Sequence, residues 1–156
     1  MQKITPFLWF KDQAEEAMNF YVSIFKNSKV GAVTRYGDAG PGPKGSVMTV
    51  AFDLDGQRFV ALNGGPHFTF TPAVSFVVNC DTQQEIDMYW DKLSAGGDPA
   101  AQQCGWLKDK FGLSWQIVPS SLGSLTSGPN AGRVMQALMP MKKLDIATLK
   151  KASEGA

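Results

Sequence analysis

Two stretches, FLWFKDQAEEAMNFY at residues 7–21 and FVVNCDTQQEIDMYW at residues 76–90, repeat one pattern and decide the fold. Each begins with an apolar run, continues through an aspartate, and ends in a segment with apolar residues at helical spacing. The same offset separates Asp12 from Asp81 and Tyr21 from Trp90. Because an internal repeat dictates architecture, two copies predict a pair of similar modules with a cleft between them.

The order of elements is the same in both copies. In the first copy, residues 4–10, 30–36, 46–54 and 57–63 are typical of strands, and apolar spacing after Asp12 predicts a helix. Asp55-Gly56 predicts a tight hairpin turn. In the second copy the predicted strands are 74–79, 101–106 and 114–118, with a helix at about 82–95. Two further helices are predicted at 130–139 and 145–152.

These elements predict an α+β fold of two tandem βαβββ modules that form an open, cup-shaped mixed sheet. The first module is expected at residues 3–65 and the second at 72–119, followed by a helical tail at 120–156. A length of 156 residues is about that of one domain, so residues 1–156 are expected to form a single domain.

The composition excludes several classes of partner. Fifteen basic and fourteen acidic side chains give a formal net charge of +1, so neither nucleic acid nor an anionic membrane is an expected partner. No apolar run approaches the roughly 20 residues of a membrane span. No basic segment followed by an apolar one marks an export signal. We therefore expect a cytoplasmic location, with Cys80 and Cys104 as reduced thiols.

Strand alternation predicts which side chains line the cup. One face of the sheet, expected to pack under the helices, holds Phe7, Trp9, Phe76, Val78, Trp115 and Ile117. The other face is apolar with a few polar points, which suits a small-molecule site. Its predicted polar contacts are Ser75, Asn79 and Gln116, its walls are Leu8, Phe10 and Val77, and His67 and Trp106 lie near its rim.

Several motifs together carry a family resemblance. They are Ile4-Thr5-Pro6-Phe7-Leu8-Trp9-Phe10, Phe20-Tyr21, Leu62-Asn63-Gly64-Gly65-Pro66, Cys104-Gly105-Trp106 and Ser114-Trp115-Gln116. With them the chain resembles the vicinal-oxygen-chelate superfamily of glyoxalase I, bleomycin-resistance proteins and extradiol dioxygenases. It is most similar to the PhnB-like branch, often named the 3-demethylubiquinone-9 3-methyltransferase domain. The resemblance implies two βαβββ modules, usually in a homodimer, but no particular reaction.

The resemblance also implies where a divalent metal would bind in glyoxalase-like members. The ligand positions fall on Pro6 and Val60 in the first module and on Ser75 and Gln116 in the second. A hard divalent cation needs carboxylate or imidazole ligands, which this set lacks. We therefore expect no metal and no other cofactor.

Two residues leave alternatives open. His67, in the segment that links the modules, is either a general base near the mouth of the cup or a loop histidine that faces solvent. Cys104 is either a reactive thiol or a packed strand residue. No G-x-G-x-x-G follows a predicted strand, so the methyltransferase name of the branch has no support in the sequence.

Two functions follow from these observations. The first is a metal-free protein that binds a small, partly apolar molecule in the cup. The alternative is a glyoxalase-like enzyme of lyase, isomerase or dioxygenase type with divergent metal ligands. An apolar stripe in the tail, which includes Met135, Leu138 and Met139, indicates either a cover for the core or a contact between subunits of a homodimer.

Overall fold

The computed structural model describes residues 2–155, which fall into two compact units. The N-terminal unit ends at Phe70 and the C-terminal unit starts at Thr71. The N-terminal unit contains β1 (Phe7–Phe10), α1 (Ala14–Ile24), β2 (Lys29–Arg35), β3 (Val47–Leu54) and β4 (Gln57–Asn63). The C-terminal unit contains β5 (Ser75–Cys80), α2 (Gln83–Ser94), β6 (Trp106–Lys108), β7 (Ser114–Pro119), α3 (Leu122–Leu125), α4 (Ala131–Leu138) and α5 (Ile146–Ser153).

The sheet of the N-terminal unit has the strand order β1-β4-β3-β2. β1 runs parallel to β4, and the other two pairs are antiparallel. β3 and β4 are joined by Asp55 and Gly56, whose φ angles are 48° and 80°. Positive φ at both central residues is the requirement of the two-residue hairpin turn that Asp-Gly predicts, and this prediction is confirmed.

The sheet of the C-terminal unit has the order β5-β7-β6, with β5 parallel to β7 and β6 antiparallel to β7. Both sheets are mixed and open, which confirms the α+β fold class. The strand predicted at 101–106 is wrong, because Pro99–Ala101 form a short 3₁₀ helix and β6 begins only at Trp106. Pro99 has no N–H for a ladder, and the Asp98 carboxylate accepts a hydrogen bond from the Ala100 N–H at 2.9 Å. Within the described residues, the second sheet therefore has three strands.

The predicted faces of β1 are inverted. Leu8 and Phe10 are 6% and 3% exposed, whereas Phe7 is 59% exposed. Leu8 is paired with Ala61, on the face where α1 packs. Tyr21 of α1 stacks on Phe52 of that face with ring centroids 6.4 Å apart. Leu8 and Phe10 therefore belong to the core under α1 and are not walls of a ligand site.

A register difference explains the inversion. β1 pairs Phe7 with Val60, and β5 pairs Val77 with Gln116. Val60 and Gln116 occupy equivalent positions in the two modules, so their pairing partners Phe7 and Val77 are equivalent as well. The offset between the two sequence repeats instead aligns Phe7 with the residue before Val77. A one-residue slip moves a strand's side chains to the opposite face.

The faces predicted for the C-terminal unit are confirmed. Trp115 and Ile117 are 3% and 0% exposed, and they are paired with Phe76 and Val78. Between them, Gln116 is paired with Val77 and lies on the opposite face.

The tail packs on its own unit. Helices α4 and α5 agree with the prediction within about one residue at either end, and α3 is an additional short helix in the Ser/Gly-rich link. Val134, Leu138, Leu144 and Leu149 form an apolar cluster with Val118 of β7. Within residues 2–155, every helix is too short or too polar to cross a membrane.

Candidate functional site

The face of the C-terminal sheet opposite α2, here called the polar face, carries most of the predicted site. Ser75 is paired with Ser114, and Gln116 lies between Val77 on β5 and Trp106 on β6. The Gln116 side-chain amide donates a hydrogen bond to Ser75 Oγ at 3.0 Å. The predicted residues on this face are thus adjacent: Ser75, Val77, Asn79, Trp106 and Gln116.

Ser114 lies on the polar face but was not among the predicted site residues. It is 1% exposed, and among residues 2–155 its Oγ is a buried side-chain atom for which no hydrogen-bond partner is found. Buried hydroxyls are nearly always hydrogen-bonded, so an unsatisfied one calls for an explanation. Nothing in the sequence indicated that the Ser114 hydroxyl would be both buried and without a hydrogen bond.

A buried carboxylate fixes the start of β7. Asp109 is 2% exposed and accepts hydrogen bonds from the Phe111 and Leu113 N–H groups at 2.9 and 3.1 Å. Its second oxygen accepts one from Trp115 Nε1 at 2.9 Å. Because Trp115 lies between Ser114 and Gln116, these bonds hold the strand segment that carries the polar face. Asp109 was not among the predicted site residues.

The two ends of the polar face differ in their exposure to solvent. At the end of β7, Val118 is 6% exposed because the tail cluster packs on it. On β5, Val77 is 49% exposed and Asn79 is also exposed. The tail therefore bounds one end of the face, and β5 leaves accessible apolar and amide surface beside Gln116.

The positions that would hold a metal in a glyoxalase-like protein do not fit one. In the N-terminal unit, the Pro6 carbonyl accepts a hydrogen bond from the Val60 N–H at 3.0 Å, and both side chains are apolar. In the C-terminal unit, the side chains of Ser75 and Gln116 are neutral and form a hydrogen bond with each other. No group of three or more His, Cys, Asp or Glu side chains suited to a metal ion is found within residues 2–155.

His67 lies in the N-terminal unit, in the segment that follows β4. Its ring makes an edge contact with Trp9 at a centroid distance of 6.5 Å, and Trp9 Nε1 donates to the Gly65 carbonyl at 2.9 Å. His67 also lines a cavity of about 500 Å³, here called the N-terminal cavity. Other residues around this cavity are Lys11, Asp12, Glu15, Tyr36 and Asn63, none of which was predicted as a site residue.

The two cysteines have different surroundings. Burial first, and then the negative charges of Glu85 and Asp81, raise the pKa of the Cys80 thiol to about 12. A thiol with so high a pKa has almost no thiolate at neutral pH and is a poor nucleophile. Cys104 is half-buried, and its thiol donates a hydrogen bond to the Met139 carbonyl at 3.3 Å.

Comparisons with known proteins agree with this architecture. The sequence model of the 3-demethylubiquinone-9 3-methyltransferase family matches residues 2–118. A solved structure of a putative 3-demethylubiquinone-9 3-methyltransferase, PhnB protein, from Bacillus cereus is 44% identical with a TM-score of 0.66. The match covers 76% of this chain and 99% of that one. No curated protein matches the chain.

Two more distant structures share the fold alone. Protein PA1353 from Pseudomonas aeruginosa is 21% identical with a TM-score of 0.60, over 76% of this chain and 98% of that one. The fosfomycin resistance protein FosX from Listeria monocytogenes is 14% identical with a TM-score of 0.57, over 79% and 94%. From the family match and the 44% identity, we conclude that the chain belongs to the PhnB-like 3-demethylubiquinone-9 3-methyltransferase family.

Proposed function

We propose that the protein binds a small, partly apolar molecule on the polar face, without a metal ion. The observation that carries the proposal is the hydrogen-bonded Ser75–Gln116 pair, which is only partly buried and lies beside the exposed Val77. Each hydrogen bond that a ligand forms with this pair contributes about 1 kcal/mol. Val77 and Trp106 supply apolar contact area beside it.

The chemistry of the side chains supports binding without a metal. Ser75 and Gln116 offer neutral oxygen and nitrogen atoms, and neither carries the negative charge that a divalent cation favours. Val60, which corresponds to Gln116 in the first module, offers no side-chain ligand. These residues suit hydrogen bonds to a neutral polar group on the ligand.

Binding is proposed in preference to methyl transfer. In nucleotide-binding folds of the Rossmann type, a glycine-rich turn joins a strand to the following helix. Here the turns from β1 to α1 and from β5 to α2 are formed by residues 11–13 and 81–82, which contain no glycine. The family description is therefore the only indication of methyl transfer, and neither of these strand-to-helix turns supports that activity.

We also propose a homodimer. Met135 of α4 and Met139, which follows that helix, are 44% and 60% exposed, whereas Val134 and Leu138 belong to the tail cluster. All seven residues of the edge strand β2 are exposed, and exposed edge strands invite pairing unless another surface covers them. A symmetric contact between two copies would cover apolar surface of this kind.

A thermal-unfolding screen tests the proposed function. Wild type, Ser75→Ala and Gln116→Ala are each heated with a panel of small metabolites and, separately, with divalent metal ions. A ligand at 100 times its Kd stabilises the folded state by about 2.7 kcal/mol. We expect at least one metabolite to stabilise wild type without added metal and to stabilise both variants less. Stabilisation by divalent metals alone would contradict the proposal and favour the glyoxalase-like alternative.

A further inference from the structure

The N-terminal cavity lies where α/β proteins commonly bind ligands. It opens beyond the carboxyl ends of the parallel strands β1 and β4, where Lys11 and Gly64 follow the last paired residues. Its volume of about 500 Å³ is within the range of small-molecule sites. All of its lining belongs to the N-terminal unit, and no residue of the polar face takes part in it.

The walls of the cavity are held by specific bonds. The Tyr36 hydroxyl donates to the Asn63 carbonyl at 2.5 Å. The Asn63 side chain donates to the Val47 carbonyl at 3.2 Å and accepts from the Ala14 N–H at 2.8 Å. One asparagine thus connects the end of β4 to the start of β3, the start of α1 and the end of β2.

The loop between β2 and β3 forms the remaining wall by packing on Tyr36. A methyl group added at Gly40 would lie 2.6 Å from Tyr36 Cδ1, and one at Gly42 would lie 2.4 Å from Tyr36 Cδ2. The two glycines therefore flank the Tyr36 ring so closely that a larger residue at either position would require the ring or the loop to shift. This places Pro41 and Pro43 against the cavity as apolar lining.

Charges of both signs line the same cavity. Lys11 and His67 provide basic groups, and Asp12 and Glu15, at the start of α1, provide two carboxylates. Within the part of the chain that the structure describes, none of these four side chains forms an ion pair. Unpaired groups of opposite charge around one cavity can each bond to a different end of a ligand.

We propose that the N-terminal cavity binds a small zwitterion of the amino-acid type with an apolar side chain. The ammonium group of the ligand bonds to Asp12 and Glu15, and its carboxylate bonds to Lys11 and His67. The side chain contacts Pro41, Pro43 and the Tyr36 ring. A ligand with only one of the two charges would leave the opposite pair unused, so both charges are needed for binding.

Calorimetric titration with the common amino acids at millimolar concentration tests this site. We expect at least one amino acid with an apolar side chain to bind. Its amide and its N-acetyl derivative, each lacking one charge, should bind about tenfold more weakly or not at all, since about 1.4 kcal/mol corresponds to a factor of ten. Equal binding of either derivative, or binding of none of the amino acids, would overturn the proposal.

Two neighbouring glutamates provide the matched variants. Glu15 lines the cavity, whereas Glu16 is exposed on the same helical turn and does not. Glu15→Gln should weaken amino-acid binding about tenfold, and Glu16→Gln should leave it unchanged. Equal affinities of the two variants would show that the carboxylate at position 15 is not a contact. Thermal unfolding of both variants shows whether a loss of binding is a loss of folding.

Discussion

Ser75 and Ser114 lie side by side on β5 and β7, yet their hydroxyls are in opposite hydrogen-bonding states. Ser75 Oγ accepts from Gln116, whereas Ser114 Oγ is buried without a partner. Ser75 therefore holds the Gln116 amide in place, whereas the buried Ser114 hydroxyl contributes no hydrogen bond to the folded state.

This difference predicts opposite effects of two similar substitutions. Ser75→Ala removes a formed hydrogen bond and should lower the unfolding free energy by about 1 kcal/mol. Ser114→Ala removes an unsatisfied buried hydroxyl, so the unfolding free energy should stay the same or rise by up to about 1 kcal/mol. Urea denaturation of the ligand-free proteins measures both. A decrease of about 1 kcal/mol in the unfolding free energy of Ser114→Ala would mean that the Ser114 hydroxyl of the wild type forms a hydrogen bond.

Glycines of the β2–β3 loop provide a second test at this scale. Gly42→Ala would bring a methyl group to 2.4 Å from the Tyr36 ring, whereas nothing lies within 4 Å of one at Gly37. Overpacking of this kind costs about 1–3 kcal/mol. We expect Gly42→Ala to lower the denaturation midpoint and Gly37→Ala to leave it nearly unchanged. Equal midpoints would show that the loop does not pack on Tyr36 in solution.

At the scale of elements, hydrogen bonds from the Gln83 side chain connect α2 to the tail. The Gln83 amide donates to the Asp87 carboxylate and to the Leu144 carbonyl, both at 3.0 Å. Its oxygen accepts from the Ile146 N–H at 2.8 Å, just where α5 begins. A nearby ion pair between Lys143 and Asp87 adds to the contact at 2.9 Å, although it is partly exposed and contributes little.

Gln83→Ala should therefore destabilise the docking of the tail. Removal of three hydrogen bonds at a half-buried position should cost about 1–3 kcal/mol. Gln84, the next residue of α2, is exposed and serves as the matched control. Hydrogen exchange of α5 should become faster in Gln83→Ala and stay at the wild-type rate in Gln84→Ala. Unchanged exchange in both variants would contradict this role of Gln83.

Local signals in the sequence were sufficient for most of these elements. Helical spacing predicted α1, α2, α4 and α5, and Asp55-Gly56 predicted its hairpin, because both depend on residues close together in the chain. The sequence does not determine which side chains of β1 face the core, because Phe7-Leu8-Trp9-Phe10 is apolar at every position. The strand that pairs with β1 decides which of its faces is buried. The N-terminal cavity was also missed, because it depends on a loop packing on Tyr36 and on bonds from Asn63 to distant strands.

At the scale of the whole molecule, the tail distinguishes this chain from its matched family region. The family match ends at residue 118, and helices α3 to α5 follow it. The tail covers Val118 through its inner residues and exposes Met135 and Met139 on the other side. It thus bounds the polar face and adds apolar surface.

The proposed homodimer is tested by sedimentation at micromolar concentration. Wild type should sediment with about twice the mass of the 16.9 kDa chain. If α4 contributes to the contact, replacement of both Met135 and Met139 by glutamate should shift the equilibrium toward monomer, because it places charges in an apolar interface. A wild-type protein that remains monomeric would reject the dimer.

The proposed ligand binds on the polar face without a metal ion. The most direct measurement is a calorimetric titration of a metabolite from the thermal screen into protein treated with EDTA and into untreated protein. We predict the same Kd in both, and a Kd at least about fivefold weaker for Gln116→Ala, which loses roughly 1 kcal/mol of hydrogen bonding. Binding that disappears with EDTA and returns on addition of a divalent metal would contradict the account.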